Sequence, residues 1–190
     1  MAYIKNSLIA LFVLAIAALT SITATASILI EPHLGYNISG SGTTSGVDYK
    51  YSNPELGLRL GGQFLGFMAG VDYTSSSYTW TQSPGGDDKF DRGEFGLFVG
   101  YNLPILLRFW GAYYFSNTAT DQSSSGKTAS GAKFEGTTKE LGVGFTALPF
   151  LSLNIMYRNV VLDTKPSNVT GADISNNEYV IGVSLPFTLL

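Results

Sequence analysis

The chain has 190 residues, of which 13% are charged and 13% aromatic, with no cysteine, a formal charge of −3 and a positive mean hydropathy. This excludes a disulfide framework and a thiolate metal site, and without a basic run there is no electrostatic footing for nucleic acid. Past the N-terminus no apolar run approaches the roughly 18 residues that a membrane-spanning helix needs.

In chain order, Lys5, the apolar run Leu8 to Leu19 and Ala24-Thr25-Ala26 predict a secretory signal peptide over residues 1–26, cleaved after Ala26. The folded domain is then expected over 27–190. Strand 1 is predicted from Leu29 to Ile38, with Glu31, His33, Gly35 and Asn37 on its polar face. A polar stretch, Ser39 to Asn53, reads as a loop. Strand 2 follows as Glu55-Leu56-Gly57-Leu58-Arg59-Leu60-Gly61, and a tight connection at Gly62 to Leu65 leads to strand 3, Gly66 to Thr74. Ser75 to Gly93 reads as a second loop. Strand 4, Glu94-Phe95-Gly96-Leu97-Phe98-Val99-Gly100, repeats the phrase of strand 2, and strand 5 runs from Leu107 to Phe115. After a third polar stretch, Ser116 to Lys133, the phrase returns as Glu140-Leu141-Gly142-Val143-Gly144-Phe145. Strand 7 is Leu151 to Asn159, and a fourth loop, Val160 to Asp173, precedes the last copy at Glu178 to Ser184.

Each copy opens on a carboxylate and then alternates large apolar residues with small or polar ones, so every strand has two unlike faces. The connections alternate long and short, which places four long loops at one end and three tight turns at the other. The fold class is therefore all-β: an eight-stranded antiparallel up-and-down transmembrane β-barrel. The glycine-rich polar face suits a crowded lumen, and the aromatics near strand ends (Tyr36, Tyr73, Tyr113, Phe115, Tyr157, Tyr179) suit interfacial girdles. A soluble lipocalin-like barrel, with its apolar face turned inward, is the alternative.

This architecture resembles the small eight-stranded outer-membrane barrels of the OmpA/OmpX type. The resemblance covers 28–190 and rests on alternation and loop asymmetry. It implies a monomer in a Gram-negative outer membrane, surrounded by lipid and lipopolysaccharide, with short periplasmic turns and extracellular loops offered for surface contacts. It also implies an insertion machinery that reads a terminal aromatic residue, whereas Phe187 here stands three residues before the end. Members of the family serve as structural anchors, adhesion or complement-evasion proteins, or lipid-modifying enzymes.

The polar face carries Glu31, Glu55, Arg59, Glu94, Arg108, Glu140, Arg158 and Glu178, and an eight-stranded lumen is just wide enough for side chains to fill. Buried charges must pair, and counting from the turns sets Glu140 beside Arg158, Glu178 on the other side of Arg158, and Glu31 with Arg59. The network reads as a static polar plug; its rival is an ion-pair gate for small solutes. The single histidine, His33, reads as a hydrogen-bonded lumen residue, which argues against the His-dependent lipid-modifying chemistry the family also contains. Asp87, Asp88, Asp91 and Glu94 read as a solvated loop; a cation site is the alternative there. No cofactor is expected, and the role read from the sequence is non-catalytic.

Overall fold

A computed structural model describes residues 26–44, 47–82, 86–122, 131–148, 150–164 and 173–189. Residues 1–25 of the expected signal peptide and the tips of all four loop-end connections lie outside these residues. The chain forms β1 (Ser27–Thr44), β2 (Val47–Phe64), β3 (Phe67–Gln82), β4 (Gly86–Asn102), β5 (Leu107–Asp121), β6 (Lys133–Leu148), β7 (Leu151–Thr164), β8 (Ile174–Ser184) and β9 (Phe187–Leu189). Consecutive strands pair antiparallel, and β1 pairs with both β2 and β8 to close the ring. The short β9 continues β8 past Pro186, whose missing N–H interrupts the ladder, and pairs with the start of β1 at Ile30↔Phe187. The result is a closed eight-stave antiparallel up-and-down barrel.

The strands are far longer than alternation predicts. β1 and β2 have 18 residues each, about 60 Å of extended chain, more than a tilted crossing of a hydrocarbon layer needs. Much of what reads as loop after strands 1, 3 and 5 is strand. Two bulges explain part of that misreading. At Ile38 the register of β1 slips against both β2 and β8, and at Phe115 that of β5 slips against both β4 and β6. A single extra residue reverses the in–out phase. In β5, Arg108, Trp110, Ala112 and Tyr114 point inward before the bulge, and Asn117, Ala119 and Asp121 after it.

Polarity inverts along the barrel axis. Toward the tight-turn end the outer face is a belt of exposed Leu, Ile, Val and Phe, such as Val99 and Ile155, rimmed by Tyr36, Tyr73, Tyr113 and Tyr179. The inner face of the same strands is charged. Toward the loop end the outer face carries Asp48, Lys50, Ser52, Ser75, Ser77, Lys89, Asp91, Lys139 and Ser175. There the interior is an apolar cluster of Tyr49, Tyr51, Tyr78, Trp80, Phe90, Phe134, Val160, Leu162 and Ile174. One barrel thus has two kinds of core, each paired with an outer face of the opposite polarity.

At the tight-turn end, Leu65 (φ 51°) and Gly66 (φ 83°) make the two-residue connection of β2 to β3. Both residues hold the left-handed conformation that matches a hairpin's twist. Leu65 takes it without the freedom of glycine.

Candidate functional site

Among the described residues, the buried charges gather in the lumen. All eight charged residues predicted for it are buried, and so is His33. Glu140 and Arg158 are register partners on β6 and β7, and Arg158 Nε donates to Glu140 Oε2 at 2.6 Å. Arg158 also reaches across the barrel to β2, donating from Nη1 to Glu55 Oε2 at 2.6 Å and from Nη2 to Glu55 Oε1 at 3.0 Å. Glu31 and Arg59 are partners on β1 and β2, 3.5 Å apart at their charged atoms. Arg108, from β5, takes Glu31 in a two-pronged pair at 2.9 and 2.7 Å. Planar guanidinium forks suit such paired carboxylate contacts.

One expected contact is different. Arg158 and Glu178 are backbone partners, but the carboxylate of Glu178 accepts from Arg92 Nη1 and Nη2 and from the Tyr51 hydroxyl. The guanidinium of Arg158 is taken up by Glu55 and Glu140, which leaves Glu178 to Arg92.

Arg92 and Asp72 are among the lumen residues that escape sequence reasoning. Arg92 falls inside an apparent polar loop, yet it is inward on β4 and fully buried. Asp72 sits in a strand whose other residues read as apolar or small, yet it accepts from Arg59 Nε at 2.7 Å and from the Tyr114 hydroxyl at 2.9 Å, and lies 3.2 Å from His33 Nε2. Strict period 2 along β3 and β4 would have found both. Asp72 is in phase with Thr74 and Ser76, and Arg92 with Glu94 and Gly96.

The repeated phrase now has a physical meaning. Its carboxylates face the lumen at the level where the polarity inverts, and its glycines make room beside them. The indole of Trp110 lies so close over Gly142 that a Cβ there would collide with it, and its Nε1 donates to Glu140 Oε1 at 2.7 Å. The His33 ring lies over Gly57 in the same way. Arg59 packs against Trp110, its guanidinium carbon 4.6 Å from the ring centre.

Above this layer the apolar cluster fills the loop-end lumen. Tyr49 stacks on Trp80 at 4.3 Å and Tyr51 on Tyr78 at 4.9 Å, and Phe90 meets Trp80 at 4.8 Å. Burial pushes the phenols of Tyr49, Tyr51 and Tyr78 above the ordinary tyrosine value, so they remain neutral.

The acidic quartet does not converge. Asp87 and Asp91 are exposed on the outer face of β4, while Glu94 points inward, where Thr138 Oγ1 donates to it at 2.6 Å and Asn117 Nδ2 at 3.0 Å. These side chains belong to a strand, not to a solvated loop.

The fold is similar to that of Neisserial surface protein A, at 13% identity and a TM-score of 0.58, over 86% of this chain and 99% of that one. It is similar to Ail, the attachment invasion locus protein of Yersinia pestis, solved with the heparin analogue sucrose octasulfate, at 14% identity and a TM-score of 0.58, over 84% and 99%. It is also similar to the outer membrane protein OprG from Pseudomonas aeruginosa, at 14% identity and a TM-score of 0.50, over 86% and 97%. No family model and no curated protein sequence matches the chain.

Proposed function

We propose that this chain, which has the fold of the small eight-stranded outer-membrane barrels, is a non-catalytic component of a Gram-negative outer membrane. It would stand as a monomer among lipid and lipopolysaccharide, delivered by the insertion machinery, and serve envelope structure and surface contacts through its loop end. The observation that carries this reading is the inversion of polarity: an outer apolar belt over a charged lumen, then a polar exterior over an aromatic core. The belt demands lipid, and the polar exterior projects a rigid β-extension beyond it.

The lumen supports a plug rather than a pore. Its ion pairs are buried and multiply hydrogen-bonded, and opening them would strand charges in a low-dielectric interior. The aromatic cluster fills the lumen at a second level. His33 is 3% exposed, with Nε2 3.2 Å from Asp72 Oδ1, away from the membrane surface where a lipid substrate would sit.

The test is planar-bilayer recording of the folded protein beside Arg158→Ala. Near-zero conductance in both supports the plug, and currents that appear or grow in the variant favour the gate. Unheated and heated samples should migrate differently on a gel, as closed membrane barrels do. A protein that remains soluble without detergent overturns the membrane reading.

A further inference from the structure

The barrel wall is not uniformly sealed. The β2–β3 ladder is paired at Lys50↔Thr81 and again at Glu55↔Ser76, with no pairing across residues 51–54 and 77–80. The gap spans the same number of residues on each strand, so register is kept and this is no bulge. Pro54, which has no N–H to offer, lies in it. The other edge of β3 stays paired to β4 through Ser77↔Asp91, Tyr78↔Phe90, Thr79↔Lys89 and Trp80↔Asp88. The seam is confined to one strand pair and lies just beyond the apolar belt, whose last members here are Leu56 and Tyr73.

Two recesses, of about 410 and 360 Å³, flank the seam on the outer face, and Ser52 and Thr79 line both. Behind it, the inward side chains of β3 carry unpartnered polar atoms in succession: Ser76 Oγ, Tyr78 Oη and Trp80 Nε1. These residues are only 6%, 4% and 4% exposed. Buried donors ordinarily find a partner in protein or water. On the β2 side of the same space the hydroxyls are bonded, Tyr49 to Asn176 and Tyr51 to Glu178. Of the two strands that border the gap, it is therefore β3 that presents unmet hydrogen-bonding capacity beside it.

We propose that the β2–β3 seam is a lateral port at the membrane surface, admitting water and small neutral hydrogen-bonding solutes of the size of urea or glycerol to Ser76, Tyr78 and Trp80. Neutral solutes fit because Arg92 behind the seam is matched by Glu178 in a two-pronged pair, so no unpaired charge faces the port from the lumen side. The port reaches only the loop-end lumen, since the ion-pair layer lies below it. It is separate from axial conduction, so the plug and the port stand or fall independently.

The chain contains no cysteine, so an introduced thiol is unique. Folded Ser52→Cys, Ser76→Cys and Val160→Cys are treated with methyl methanethiosulfonate, a small neutral thiol reagent. Ser52 is on the rim, Ser76 behind the seam, and Val160 buried in the loop-end lumen on β7, whose ladder to β8 is unbroken there. Ser76→Cys is expected to react at least roughly tenfold faster than Val160→Cys, as expected where local access does not await wider opening. Equal rates at the two positions overturn the port, whether both are slow or both are reached through the mouth. A second measurement needs no substitution. Amides of 51–53 and 77–80 that face the seam should exchange with deuterium at least roughly tenfold faster than those of 71–75, and equal protection overturns the proposal.

Discussion

Arg158 on β7 and Glu55 on β2 meet across the barrel through two hydrogen bonds of 2.6 and 3.0 Å, joining staves that share no ladder. Backbone pairing ties each strand only to its neighbours, so this contact braces the ring through its interior, between staves three apart. Arg158→Ala leaves Glu55 and Glu140 buried with their main cation gone and is expected to cost about 3–5 kcal/mol. Arg158→Ala combined with Glu55→Ala should cost less than the sum of the two single changes, because the second removes a charge the first has stranded. Urea unfolding in detergent or lipid vesicles measures all three; strict additivity would mean that the pair does not couple.

The strands that cross the apolar belt, their order, and the Glu140–Arg158 and Glu31–Arg59 neighbours are legible in the sequence because period 2 and turn spacing act locally. The extensions are not, for two reasons. The bulges at Ile38 and Phe115 reverse the alternation. Beyond the belt the preference of each face also reverses, so Tyr49-x-Tyr51 and Tyr78-x-Trp80 have their aromatic residues inside while a lipid-facing reading looks for them outside. The partner of Glu178 was hidden differently. Strand register places Arg158 beside it, but a long guanidinium chooses among several carboxylates at similar height, and that choice is tertiary.

The strand glycines divide by face, Gly142 of the repeated phrase lying inside and Gly111 of β5 outside. Gly142→Ala sets a methyl group into the Trp110 indole, a rigid neighbour that also holds Glu140, and is expected to cost about 1–3 kcal/mol. Gly111 lies on the outer face, where a Cβ would meet Leu141 Cδ2 at an ordinary 3.5 Å. Gly111→Ala should be neutral or slightly stabilising, since glycine weakens a strand interior. Comparable losses in both would show that backbone freedom, not the indole contact, sets the requirement at Gly142.

The loop-end core should unfold on its own. Phe90→Ala removes a ring packed against Tyr78, Trp80 and Phe134, and burial on that scale is worth about 3–5 kcal/mol. Because the belt and the ion-pair layer do not touch this ring, the loss should appear as protease cleavage within 39–53 and 75–93 while the heat-dependent gel shift persists. Loss of the gel shift together with the loops would mean that the two cores form one cooperative unit.

Alkali should loosen the same end. Unfolded phenols ionise near pH 10, whereas burial holds Tyr49, Tyr51 and Tyr78 neutral above that in the folded chain. Their contribution is therefore complete below about pH 10 and is lost as pH climbs toward the folded values. Protease sensitivity of the loop end, followed across that range, should rise before the gel shift disappears.

Finally, the position of the apolar belt can be read with single arginines. Ile155 projects from the middle of the belt on β7, 65% exposed, between Val143 on β6 and Ile181 on β8. Ser175 projects outward from β8 beyond the belt. In a bilayer, Ile155→Arg should cost about 2–4 kcal/mol and Ser175→Arg about 0–1, because the penalty for a lipid-facing cation falls toward the interface. If the same barrel stood in water, an outward arginine at position 155 would be harmless or would improve solubility, since it would replace exposed apolar surface with charge. The difference between the two variants in lipid vesicles therefore tests the lipid-facing assignment directly. A near-zero difference would place the outer face of Ile155 in water and remove the physical reason for setting this barrel in a membrane.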